Sequence, residues 1–241
     1  ESSVVILKGD TGSGKSTQVP QITLDLMREG ILDKGLLVHV CPLVEPLFGL
    51  HSRLEAEMDA HKQVCLATGR GNAPGKHDRI ALMTAGVLQT AWWEVISQMT
   101  VLILDEVHIR CVEYTNLFQM VKLLLQKRNI KVIVMSATLH ISQWQVFFND
   151  FSSSVIEISG RQFPLFVFEP EVDLVFETDE ALQEAMVHII LAEADLDRGG
   201  ILGFLRGQTI IECIANELSQ HTKTDGMLEG WRVCMFFSKA E

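Results

Sequence analysis

With 241 residues, 47% hydrophobic and 21% charged, the chain has room for one large α/β domain, or one plus part of another. No apolar run approaches the roughly 20 residues that span a bilayer, and a formal net charge of −11 excludes a protein that grips nucleic acid by bulk electrostatics. The five cysteines, without a C-x-x-C pair, and the eight scattered histidines give no disulfide or metal-site spacing, so reduced thiols in a cytoplasmic or nuclear setting are expected.

The opening Glu-Ser-Ser passes directly into a strand-like run with no signal peptide, as expected of a segment cut from a longer protein. Buried strands are predicted over Val4 to Lys8, Leu36 to Cys41, Val64 to Thr68, Ile80 to Thr84, Val101 to Asp105 and Ile130 to Ser136. Helices are predicted over Ser16 to Arg28, Gly86 to Ser97 and Val112 to Lys127, and a Gly/Asn/Pro-rich loop over Gly69 to Asp78. Near-continuous apolar strands alternating with helices predict an α/β fold with a parallel sheet covered on both faces. Two prolines between Arg161 and Glu169, then an acidic stretch from Glu169 to Glu180, place a boundary near residue 170, giving domains 1–169 and 170–241. Beyond it a helix (Glu180 to Ala194), a strand (Ile201 to Leu205), a helix (Thr209 to Ser219) and a strand (Trp231 to Phe236) are too few to close a second sheet. The second domain therefore reads as truncated.

Gly9-Asp10-Thr11-Gly12-Ser13-Gly14-Lys15-Ser16 fits G-x-x-x-x-G-K-[ST], after a strand and before a helix. Glycines let the backbone curl so that N–H groups converge on phosphate oxygens, and the helix N-terminus adds partial positive charge. Gly9, Thr11, Gly12, Ser13, Gly14, Lys15, Ser16 and Thr17 are the candidate ATP-binding residues. Lys15 is expected to reach the β/γ-phosphates and Ser16 to ligand Mg²⁺. Val101 to Leu104 is an apolar strand ending in Asp105 and Glu106, the pattern of a metal-holding Asp beside a water-orienting Glu. Ser136-Ala137-Thr138 ends another buried strand. Alone that triplet is no more than a strand end with capping residues. Its weight comes from order, since ligands in parallel sheets lie at the carboxyl ends of strands.

Together these segments resemble the superfamily 2 RNA helicases of the DEAH/RHA type. Gly9 to Gln21, with its trailing Thr17-Gln18-Val19-Pro20-Gln21, resembles motif I, and Asp105-Glu106-Val107-His108 resembles motif II in a DEVH spelling. Met83-Thr84-Ala85-Gly86-Val87-Leu88 is similar to motif Ib, Ser136-Ala137-Thr138 to motif III, Gly160-Arg161-Gln162-Phe163-Pro164 to the exit from the first RecA-like domain, and Ile201 to Gln208 to motif IV. The resemblance implies a RecA-like P-loop NTPase domain followed by a truncated second one. It implies ATP and Mg²⁺ as cofactors, with Ser16, Asp105 and Glu106 handling the metal. It further implies that Lys15, Asp105, Glu106, His108, Ser136 and Thr138 form the catalytic set, the last three coupling the state of ATP to the grip on RNA. The partners implied are RNA, the rest of the second RecA-like domain and C-terminal helicase domains.

The departures lie on the RNA side. The family's motif Ia has a T-Q-P-R-R core whose arginines follow the RNA backbone; here the segment reads His39-Val40-Cys41-Pro42-Leu43-Val44. Motif Ib has Ala85 and Thr90 in place of Asp and Arg, and Ile109 replaces the Glu after motif II while Arg110 is kept. The resemblance leads one to expect motifs V and VI beyond Glu241. Weak single-stranded RNA binding through backbone amides near Thr84 and Gly86 is expected. A helicase-derived scaffold and a small-acceptor P-loop kinase are the rival readings, separated by RNA stimulation of turnover and by an acceptor screen. Trp92, Trp93 and the loop residues Arg70, Lys76 and His77 read as packing or solvated groups.

Overall fold

The computed structural model describes residues 2–58, 63–69, 74–109, 111–158, 176, 178–194, 199–224, 228 and 231–236. Two compact units divide the chain, Glu1–Leu165 and Phe166–Glu241. Arg70, Arg110, the Gly160 to Pro164 segment and most of the acidic stretch lie outside the described residues.

The first unit runs β1 (Val4–Gly9), α1 (Lys15–Arg28), β2 (Leu36–Cys41), α2 (Glu45–Met58), β3 (Val64–Ala67), β4 (Ile80–Thr84), α3 (Ala85–Thr90), α4 (Trp92–Ile96), β5 (Met99–Leu104), α5 (Val112–Lys127), β6 (Lys131–Ser136), α6 (Ile141–Phe147) and β7 (Ser153–Ile158). Its seven strands form one sheet in the order β3-β4-β2-β5-β6-β1-β7, every pairing parallel. The predicted parallel α/β sheet is observed.

Strand alternation sorts the core into two layers. Val38, Val40, Leu102, Leu104, Val132 and Val134 face one side, where Leu117, Val121 and Leu124 of α5 cover them. Leu37, Cys41, Ile80, Leu82, Val101 and Ile103 face the other, under Leu24 and Met27 of α1 and Leu47, Leu50 and Leu54 of α2. Each such side chain contributes about 1.5–3 kcal/mol on burial. All six residues of β2 are buried, which explains its apolar spelling, interrupted only by His39.

Four features depart from the sequence reading. The α2 helix was not predicted; its apolar residues at 47, 50 and 54 follow helical spacing, and Pro46 sits in the first turn, where its missing N–H costs nothing. The α6 helix and the edge strand β7, most of whose residues are exposed, were not predicted either. The single helix predicted over Gly86 to Ser97 is two, broken at Ala91 (φ −92°, ψ 17°). That break turns Trp92 into the core and leaves Trp93 81% exposed, so only the first tryptophan is a packing residue.

The second unit holds α7 (Asp179–Ala194) and α8 (Gln208–Thr224), packed through Val187, Ala194, Ile210, Ile214 and Leu218. The strands predicted at Ile201 to Leu205 and Trp231 to Phe236 do not form; both segments lack strand assignment. A strand exists only with a ladder partner, and an isolated pair is marginal in water. No helix among the described residues is long and apolar enough to cross a membrane.

Candidate functional site

The C-terminal ends of β1, β2, β5 and β6 neighbour one another along one edge of the sheet, and the residues singled out in the sequence gather there. The loop from β1 to α1 carries Gly9, Thr11, Gly12, Ser13, Gly14, Lys15, Ser16 and Thr17. Gly12 and Gly14 adopt φ of 80° and 82°, a region closed to most side chains, which is why glycine occupies both. A Cβ on Gly9 would meet Ile158 Cβ and Ser13 Oγ, each at 3.1 Å, so the third glycine lets strand and loop approach. Lys15 is buried, and its Nζ donates to the carbonyls of Gly9 (2.6 Å) and Asp10 (2.9 Å). The ammonium is thus held across the loop by neutral acceptors, with no carboxylate partner within ion-pair distance among the described residues. Thr17 Oγ1 donates to the Gly14 carbonyl at 3.1 Å and tightens the first turn of α1.

Asp105 follows β5 and is 1% exposed. Its Oδ2 lies 3.1 Å from His39 Nε2 on β2, and its Oδ1 accepts the Glu106 N–H at 2.9 Å. Burial works against its charge, yet the His39 hydrogen bond and charge, a hydrogen bond from Ser16 and the Glu106 amide together hold its pKa below the ordinary carboxylate value.

Glu106 adopts φ 49°, the single described non-glycine residue with positive φ, a conformation costing of order 1–3 kcal/mol. The turn is closed by the Ile109 N–H on the Glu106 carbonyl at 3.0 Å. Glu106 Oε2 lies 3.2 Å from His108 Nδ1, itself 2.7 Å from Ser136 Oγ, and has no hydrogen-bond partner among the described residues. Ser136, fully buried, also accepts the Thr138 N–H at 3.2 Å, whereas Thr138 is exposed. The motif-II turn and the end of β6 are therefore hydrogen-bonded as one unit.

Thr84, the ladder partner of Cys41, and Gly86 lie at the end of β4, on the far side of β2 from the β1–α1 loop. The Thr84 hydroxyl caps α3, accepting the Val87 N–H at 3.4 Å. On the path after β2, Leu43 is 51% exposed and Val44 half-buried, where the motif resemblance leads one to expect arginines.

Three residues of the site escaped the sequence reading as chemistry. His39 and Cys41 occupy alternate positions of β2, and the ladder pairs His39 with Ile103, so both side chains share a face with Asp105. The one ligand atom that each offers lies within 4.8 Å of the other two, although their spacing in sequence gave no metal signature. Burial, then Asp105 and Glu106, push the Cys41 thiol far above the usual cysteine range. Tyr114, buried on α5, sets its hydroxyl 2.9 Å from the Val40 carbonyl and 2.7 Å from that of Asp105, bridging the ends of β2 and β5. The available signal was a lone polar residue in an apolar strand, Leu36-Leu37-Val38-His39-Val40-Cys41.

Comparison with known proteins agrees with this geometry. Residues 1–146 match the family model described as DEAD/DEAH box helicase. The ATP-dependent RNA helicase HrpA of Escherichia coli (strain K12) is 30% identical over 223 residues, 90% of this chain and 17% of that protein. The HrpA homolog of Haemophilus influenzae is 28% identical over 227 residues (91% and 17%). The putative ATP-dependent RNA helicase YLR419W of Saccharomyces cerevisiae is 33% identical over 174 residues (68% and 12%). The chain thus spans less than a fifth of each of these relatives. With the family model covering both the phosphate loop and the Asp-Glu-Val-His turn, this chain belongs to the DEAD/DEAH box helicase family, on its DEAH-type side.

Proposed function

We propose that the first unit binds Mg·ATP and that, within the longer protein, its hydrolysis drives RNA remodelling or unwinding. The observation that carries this reading is a loop held open at the positive-φ residues Gly12 and Gly14 around a buried lysine, whose Nζ donates to the Gly9 and Asp10 carbonyls, with the buried Asp105 at the end of the sheet's β5. The donor set fits the ligand: Gly12 and Gly14 hold the loop open by positive φ, and hydroxyl and carboxylate oxygens are what Mg²⁺ takes. Mg²⁺, when bound, neutralises charge on the phosphoryl oxygens.

The chain's own residues do the rest. Gly12 to Thr17 direct amides at phosphate, and Lys15 exchanges its carbonyl contacts for phosphate oxygens. Ser16 and Asp105 would hold the cation, with the Glu106 carboxylate as a third oxygen donor. Glu106 Oε2, without a hydrogen-bond donor among the described residues, accepts a proton of the attacking water and orients it. His108, Ser136 and Thr138 carry the change at that turn to β6, the route by which nucleotide state reaches RNA. HrpA is named an ATP-dependent RNA helicase, which supports extending that activity to the parent protein. We place the beginning of a second RecA-like domain after residue 169, with α7 and α8 as its helices. The exposed Leu43 favours a weakened RNA grip, through amides near Thr84 and Gly86.

Titration calorimetry with Mg·ADP tests the nucleotide site. Lys15→Ala is expected to lose most of the affinity, and equal affinity in both proteins refutes the assignment.

A further inference from the structure

His39, Cys41 and Asp105 form a cluster of nitrogen, sulfur and oxygen donors that the nucleotide mechanism uses only in part. All three are buried, at 0%, 4% and 1% exposure, and they share one face of the sheet under α1 and α2. His39 Nε2 and Asp105 Oδ2 are 3.1 Å apart, and the three ligand atoms lie within 4.8 Å of one another. Two ligands on a tetrahedral zinc ion, at Zn–N and Zn–O of about 2.0–2.1 Å and Zn–S of about 2.3 Å, sit roughly 3.3–3.6 Å apart. The cluster therefore needs a shift of about one ångström, within reach of a Cys41 rotamer, to close on an ion.

We propose that His39, Cys41 and Asp105 form a binding site for a borderline-soft divalent transition ion, Zn²⁺ being the type case, at the floor of the candidate nucleotide site. The chemistry discriminates the ion. Mg²⁺ takes hard oxygen ligands in octahedral geometry, whereas thiolate and imidazole select Zn²⁺ and its neighbours. Binding sends the Cys41 thiol proton to solvent, and His39 offers Nε2 as the tautomer protonated on Nδ1, a nitrogen with no partner among the described residues. The cost of forming a buried thiolate is offset by direct coordination to a dication. Occupancy withdraws Asp105 from a hard cation, so Zn²⁺ competes with Mg·nucleotide; this consequence rests on the role given to Asp105 above.

The test uses the full chain titrated with Co²⁺, whose bond to thiolate gives a near-ultraviolet charge-transfer absorption, followed by displacement with Zn²⁺. One equivalent of Co²⁺ is expected to develop the band, and Zn²⁺, unlike excess Mg²⁺, to abolish it. A variant with Cys65, Cys111, Cys213 and Cys234 all changed to Ser is expected to keep the band, which can then come only from Cys41. Cys41→Ser is expected to remove the band, and His39→Ala to weaken metal affinity by at least the ~10–100-fold that outer-shell partners of a metal cost. No band in the folded wild-type chain, or loss of the band in the four-serine variant, overturns the site, whether or not Cys41→Ser folds. Mg·ADP affinity is measured on the same samples with and without one equivalent of Zn²⁺. Nucleotide binding without a cobalt band sinks this proposal alone. A cobalt band without nucleotide binding sinks the proposed function and leaves the metal site standing. Mg·ADP affinity unchanged by Zn²⁺ overturns the competition.

Discussion

Replacing His39 by Ala should destabilise the first unit more than any other single change at the site. The imidazole donates to Asp105 Oδ2 at 3.1 Å, with side-chain exposures of 0% and 2%. Its removal leaves the Asp105 carboxylate in a buried position with the Glu106 amide and Ser16 as remaining donors, and opens a cavity within β2. Breaking one side of a buried pair costs about 3–5 kcal/mol. For a unit of this size each kcal/mol lowers Tm by about 2–4 °C, so a fall of roughly 6–20 °C is expected by calorimetry. His39→Gln restores an amide donor and should recover part of that loss, since a hydrogen bond to a charged group is worth about 1.5–3 kcal/mol. The pH dependence has a definite sign. Asp105 is depressed below 3.8, so its stabilising contribution is present above that value and lost as pH falls through the lower folded one. In His39→Ala the burial that raises the pKa persists while the main lowering partner is gone. The stability gap between the two proteins is therefore widest near neutrality and narrows in acid. A loss below about 1 kcal/mol, a Gln variant no better than Ala, or a gap that widens in acid would refute this account of the pair.

How far the sequence announced this structure depends on the range of the interaction concerned. The phosphate loop is local: eight consecutive residues specify its turns, and Gly12 and Gly14 occupy the positive-φ positions that their type implies. The sheet was legible because strands buried on both faces spell near-continuous apolar runs, as Leu36 to Cys41 does apart from His39. The His39–Asp105 bond was not legible, since it joins residues 66 apart and depends on the register of β2 against β5. The same register makes Cys41 a neighbour of Asp105 and gives Tyr114 two carbonyls from different strands. The α2 helix was not predicted although Leu47, Leu50 and Leu54 carry the helical period, in a segment where Pro46 and Gly49 lower helix propensity. In the second unit, apolar runs at Ile201 to Leu205 and Trp231 to Phe236 have strand composition without a ladder. Composition proposes a strand; pairing decides it.

Tyr114→Phe should cost about 1–2 kcal/mol in chemical denaturation, because the Val40 and Asp105 carbonyls lose a buried donor while packing is kept; an unchanged midpoint would show that the bridge contributes nothing. Cys41 should resist iodoacetamide at neutral pH while Cys213 and Cys234 react, since burial and the two neighbouring carboxylates keep its thiol protonated; peptide mass spectrometry showing alkylation of Cys41 at a comparable rate would contradict that environment. The last expectation concerns RNA, where family and composition pull apart. Each lysine or arginine contact to a single-stranded phosphate adds about 0.7 to the slope of log K against log salt, and proteins making 6–10 contacts bind steeply. Here Leu43 and Val44 stand where arginines are expected, and the net charge is −11. Fluorescence anisotropy on an oligonucleotide should therefore give weak affinity and a slope of only about 1–3. The double change Leu43→Arg and Val44→Arg should steepen the slope by about 1.4, two contacts at the single-strand value, because Leu43 is exposed and free to present a guanidinium. Nanomolar binding by the unmodified chain at physiological salt would reveal a basic surface elsewhere, and an unaltered slope in the arginine variant would remove the segment after β2 from the RNA path.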